Sequence, residues 1–136
     1  MVNFVLIPDD EYDHLIANAK RRFPEVVFNE EFVDIPYVAI GDFVRHLCAQ
    51  YLSGNRGFLD AAFKYIEELH KSKSGKVREL ATIGILEGLQ NILSDQGIKE
   101  IEFEKSLGPE SAKWWRQLNK FWNKEIRFVG ESIDLE

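Results

Sequence analysis

Three histidines, one cysteine and a few adjacent carboxylates are the side chains of this sequence with the means to make or break bonds. His14, His46 and His70 are far apart, none has a second His or Cys at metal-ligand spacing, and the HExxH pattern is absent. His46 and Cys48 lie two apart in one helical stretch and so face different directions. A zinc site is not expected. Nor is a histidine-activated serine or cysteine, because nothing local gathers nucleophile, base and orienting acid. Glu30-Glu31 and Glu67-Glu68 are adjacent acids of the kind that polar faces leave solvated. Ser53-Gly54-Asn55-Arg56-Gly57 lacks the Lys-Ser/Thr and the preceding strand of a phosphate loop. The expectation is a protein with no catalytic residue, no cofactor and no metal.

The elements that would position these residues are helical. Asp9, Asp10, Glu11 and Asp13 open a segment that closes with Lys20, Arg21 and Arg22, the charge order a helix dipole prefers. Tyr12, Leu15, Ile16 and Ala19 keep an apolar stripe along it. Helical periods return from Tyr37 or Gly41 to Ser53 and from Phe58 to Lys71, separated by a Gly54-Asn55 break, so this pair should lie antiparallel. Lys76 to Ser94 contains a run, Leu80 to Leu86, that is apolar around nearly its whole circumference, which predicts a central helix buried on more than one side. Gly84 and Gly88 share a face there, where a neighbouring helix can approach closely.

Residues 97–106 suit either a short helix or an extended segment. Pro109 starts the last strong helix, to Glu125, whose stripe of Trp114, Trp115, Leu118, Phe121, Trp122 and Ile126 holds every tryptophan. Those rings read as core, with Trp115 the member expected to stand exposed. The fold class is therefore all-α: an irregular five- to six-helix bundle, or a short HEAT-like solenoid of antiparallel helix pairs. The 136 residues form one domain with a tail, 127–136, that is loose or extended.

A composition of 45% hydrophobic and 29% charged residues can build a core without a staple. Cys48, alone, forms no internal disulfide, and the first residues offer neither a basic leader nor an apolar run long enough for a membrane span. The expectation is a cytoplasmic monomer. Net charge is −6, concentrated at the front, where residues 1–31 carry seven acids and three bases. Such a surface repels phosphate chains and attracts cationic proteins, which argues against direct nucleic-acid binding.

The most specific segment is Asn29 to Phe43, in which Glu30, Glu31, Asp34 and Asp42 alternate with Phe32, Tyr37 and Phe43. Acids steer and pair, and tyrosine supplies contact area at low entropic cost. Asp34-Ile35-Pro36-Tyr37 followed by Gly41-Asp42-Phe43, together with Leu107-Gly108-Pro109-Glu110-Ser111 and the aromatic helix after it, resembles a family of small all-helical bacterial proteins similar to the immunity proteins of polymorphic toxin systems, including contact-dependent growth inhibition. That resemblance covers residues from about 30 to 125. It implies a protein that neutralises a cognate toxin domain; the acidic helical surface adds the expectation that the toxin is a basic nuclease, a ribonuclease in the first instance, plugged by occlusion in a one-to-one complex. The expected contact residues are Glu30, Glu31, Asp34, Tyr37 and Asp42, helped by Asp9, Asp10 and Asp13. The alternative is a helical-repeat adaptor or scaffold that binds a peptide or protein without chemistry.

Overall fold

The dipole-ordered first segment is helical as its charges ask, but it breaks in the middle. In a computed structural model that describes residues 9–123 and Val129, it forms α1 (Asp10–Asp13) and α2 (Leu15–Arg22), with His14 at φ −107°, ψ 11° between them. Leu15, Ile16 and Ala19 are buried, so the apolar stripe belongs to α2, while α1 lies against the start of the central helix.

α3 (Pro36–Ser53) begins at its proline, where the missing amide hydrogen costs nothing. It stops at Gly54, whose φ of 77° is the left-handed cap that glycine adopts freely. Asn55 then caps α4 (Arg56–His70), accepting the Phe58 amide hydrogen, so a two-residue link folds α4 back on α3. Phe23, which follows α2, meets Phe43 of α3 and Tyr65 of α4 with ring centroids 5.2 Å apart in both cases, and this aromatic cluster closes one end of the core.

The central helix is one continuous rod in three parts: α5 (Gly75–Glu79), a π-helical stretch (Leu80–Leu86) and α6 (Glu87–Asp95). Val77, Leu80, Ala81, Ile85, Leu86, Leu89 and Leu93 have no exposure at all, which bears out a helix buried on several sides. The wider turn has a signature in the Glu87 N–H, which reaches back five residues to the Thr82 carbonyl. The two glycines do face a neighbour: a Cβ on Gly84 would lie 3.2 Å from Ile40 and one on Gly88 3.4 Å from Val44, one turn apart on α3. Gly84 is the tighter of the two.

Residues 100–104 settle as a short helix, α7 (Glu100–Glu104), that points Phe103 fully inward. The last helix, α8 (Pro109–Trp122), corrects one expectation. Trp115 is completely buried, stacked on Phe103 with centroids 5.0 Å apart and donating its indole N–H to the Glu100 carbonyl at 3.2 Å. Trp122, at 51% exposed, is the ring that faces out. The inner face runs Ser111, Trp115, Leu118, because the anchoring of Ser111 described below sets the rotation of the helix. Among the described residues the fold is all-α, a bundle with no strand, as expected. The expected tail, 127–136, and Ile126 fall outside the described residues apart from Val129, which packs on the core.

Candidate functional site

The connector between α2 and α3 is held by alternate residues. Val26 and Phe28 are buried and Val27 between them is 86% exposed, the in-out period of extended chain. Asn29 then caps a short 3₁₀ turn (Glu30–Phe32), its side chain accepting the Glu31 amide hydrogen at 3.0 Å. The Asn29 N–H itself donates to Asp42 at 2.9 Å, which ties the connector to α3. The outcome is an edge on which Val27, Phe32, Ile35, Tyr37 and Val38 are all exposed, five of the ten large apolar side chains exposed among the described residues. Burying exposed apolar area is what a partner gains from such an edge.

The charge of that edge is one-sided. Between Arg22 and Arg45 the chain has five acids (Glu25, Glu30, Glu31, Asp34, Asp42) and no basic residue. Two of them are already used. Glu30 pairs with Lys20 of α2, and Asp42 accepts from Asn29 and from Arg45 at 2.6 Å. Burial opposes ionisation of Asp42, but those donors outweigh it and hold the carboxyl below its ordinary range. Glu25, Glu31 and Asp34 have no partner among the described residues. They are the carboxylates free to meet a cation.

The eight expected contact residues thus divide. Glu31 and Asp34 are free and exposed. Glu30 and Asp42 hold the edge in shape. Asp9 caps α1, accepting from the Ser74 hydroxyl and from the Tyr12 amide at 3.0 Å, and the hydroxyl first, then the amide, lower its pKa. Asp10 and Asp13 are exposed on α1. Tyr37 donates its hydroxyl to Glu79 of α5 at 3.0 Å, and burial followed by that carboxylate pushes its pKa up. Since α1 also lies on α5, the structure brings Tyr12 near Tyr37, with Asp9 and Asp13 close enough to act on the Tyr12 hydroxyl. Sequence reasoning missed Glu25, Val27, Ile35 and Val38, although the absence of any base over 22 residues was in plain sight.

The second motif is built the opposite way. Glu67 of α4 accepts the amide hydrogens of Glu110 at 3.0 Å and Ser111 at 2.9 Å, and so caps α8 from another helix. Gly108 makes room, since a Cβ there would lie 2.5 Å from the Glu67 carboxyl carbon. Burial raises the Glu67 pKa, yet the two amides, the Ser111 hydroxyl and Lys71 together leave it lowered. His70, one turn on, has Nδ1 at 3.1 Å from the Ile66 carbonyl and 2.9 Å from Ser111 Oγ, and Nε2 at 3.1 Å from Thr82 Oγ1. A carbonyl can only accept, which places the proton on Nδ1 and makes Thr82 the donor to Nε2. The Ser111 proton is turned to Glu67.

This Ser-His-Glu grouping has the members of a nucleophile site, but Ser111 is fully buried and His70 is 3% exposed, and each polar atom is engaged within the protein. Its chemistry is cohesion. Cys48 is equally inert, buried so that its thiol pKa rises to about 11. In an open cleft of about 410 Å³ near His46, Arg22 is engaged by Glu68 and Asn55 by Gln50, while Glu25 in the lining stays unpaired among the described residues and the His46 ring rests edge-on against Phe58. Among the described residues no group of three His, Cys, Asp or Glu could hold a metal ion, and no helix is long and apolar enough to cross a membrane.

Residues 16–123 match the model of a family described as a domain of unknown function, DUF7674. No curated protein and no solved structure matches the chain significantly.

Proposed function

The chain belongs to the DUF7674 family, whose description carries no activity, and from its own surface we propose that it acts by binding: it is an immunity protein that neutralises a cognate antibacterial toxin domain by covering its active site. The toxin is a basic nuclease, a ribonuclease before a deoxyribonuclease, and the complex is one to one in the cytoplasm of the bacterium that must be protected. One observation carries the mode of action. The connector between α2 and α3 presents free carboxylates of Glu25, Glu31 and Asp34 beside exposed Val27, Phe32, Ile35 and Val38, with no base in the stretch.

A nuclease groove is cationic because it holds a phosphate chain, and an acidic edge with an apolar centre matches it in charge while gaining contact area. Asp42, Glu30 and Asn29 serve that edge by holding its shape. The toxin itself is supplied by the resemblance of the Asp34–Tyr37 and Leu107–Ser111 segments to immunity proteins. Co-expression with the product of the adjoining upstream reading frame tests the proposal by growth. Rescue that is lost in the Glu31→Lys/Asp34→Lys variant is the expected result. Rescue untouched by that reversal would move the contact surface elsewhere, and a stable complex without rescue would favour the adaptor.

A further inference from the structure

The first turn of α3, helix α1 and helix α5 surround an open cavity of about 280 Å³ lined by Tyr12, Tyr37, Lys76 and Glu79. Two of its walls are phenol rings. Tyr37 holds the Glu79 carboxylate at the cavity through its hydroxyl, 3.0 Å away. The Tyr12 hydroxyl feels the negative charge of Glu79, Asp13 and Asp9. Against those three carboxylates stands one lining cation, Lys76, whose ammonium lies 5.6 Å from the centre of the Tyr12 ring. The chain's own lysine marks what the cavity attracts, since an aromatic face draws an alkyl cation and neighbouring carboxylates strengthen the pull. Lys76 is exposed and its four-carbon stem is flexible, so the ammonium can leave the ring without disturbing the fold.

We propose that this cavity is a binding site for the cationic head of an arginine or lysine side chain, seated between Tyr12 and Tyr37 against Glu79 and displacing Lys76. Arginine fits better, because its planar guanidinium stacks on a ring while its fork meets a carboxylate. The site rests on the reading of the neighbouring acidic edge as partner-facing only for the source of the cation, a protein side chain in place of a free polyamine.

Titration of the full-length chain, with tyrosine rings and backbone amides followed by NMR, tests this with three probes: acetyl-triarginine amide, its tricitrulline counterpart and spermidine. Triarginine should shift the Tyr12 and Tyr37 ring signals saturably and tricitrulline should not. Glu79→Gln should weaken triarginine about fivefold or more, in line with loss of a charge-assisted hydrogen bond. Lys76→Ala should tighten it by a factor of about three, as expected when a weak resident cation–π contact no longer competes. Lys73→Ala, whose side chain does not line the cavity, controls for net charge and should change little. Tighter binding of triarginine than of spermidine assigns the cation to a protein, and the reverse assigns it to a polyamine. Equal shifts from tricitrulline, shifts that miss the two rings, or equal effects of Lys76→Ala and Lys73→Ala would overturn the site. Failure of growth rescue with triarginine binding intact removes the toxin and leaves the site; rescue without binding does the opposite.

Discussion

Two helices of this protein start with a proline after an acidic or glycine-marked turn, and the two starts meet opposite fates. At Pro109 the first-turn amides are taken by Glu67 from α4, Gly108 clears the space for it, and Ser111 joins His70 and Thr82 in a closed network. At Pro36 no side chain caps the helix, and Glu31, Asp34 and the apolar side chains around them are left to water. The two helix starts put a polar motif to two uses. Where every donor and acceptor finds a partner inside the protein, the motif holds elements together; where carboxylates and apolar groups share an unsatisfied edge, it is available to another molecule.

The closed start of α8 depends most on Trp115. Its replacement by Ala should cost about 3 to 5 kcal/mol in chemical denaturation, the range for a buried tryptophan, whereas the exposed Trp122→Ala should cost far less. Next comes Gly108→Ala, which forces the Glu67 carboxyl away and should cost about 1 to 3 kcal/mol, as overpacking does. Added to Glu67→Ala it should cost less than the sum, because both changes break the same contact. Glu67→Ala alone removes a helix cap and should cost about 1 to 2 kcal/mol.

The pH dependence follows from the same network. Glu67 has a lowered pKa in the folded protein, so its contribution is present above the ordinary carboxylate value and is lost as pH falls through the folded one. His70, kept neutral chiefly by burial, has a folded pKa below its ordinary 6.5. The unfolded chain therefore binds a proton first, and stability starts to fall as pH drops below that value. A denaturation series from pH 8 to pH 4 should show stability declining, with a flatter curve in His70→Gln. The smallest effect on stability belongs to the other region: Glu31→Lys/Asp34→Lys should change it by less than about 0.5 kcal/mol, as exposed substitutions do. A larger loss there would mean the edge is structural after all.

Much of the fold was legible because helices announce themselves by period and punctuation. Pro36, Gly54, Asn55 and Pro109 mark element ends through backbone chemistry that operates locally. The Gly84 and Gly88 face was legible for the same reason, one turn of spacing facing one turn of Ile40 and Val44. The orientation of α8 was not, since Trp114, Trp115 and Trp122 offer comparable apolar faces and the choice among them is made through Ser111, by His70 and Glu67 lying 41 and 44 residues before it. The break at His14 and the π-helical turn at Leu80–Leu86 likewise gave no period to read.

An all-helical chain, its main helix ends and an acidic, base-free connector follow from residue order, because these depend on neighbours a few residues apart. Tertiary structure alone decided which acids remain free. Asp42 and Glu31 look alike in the sequence, but one carboxylate is occupied by the Asn29 amide and Arg45 while the other faces water. A carboxylate's availability depends on which donors long-range folding brings within about 3 Å, and residue type does not encode that distance.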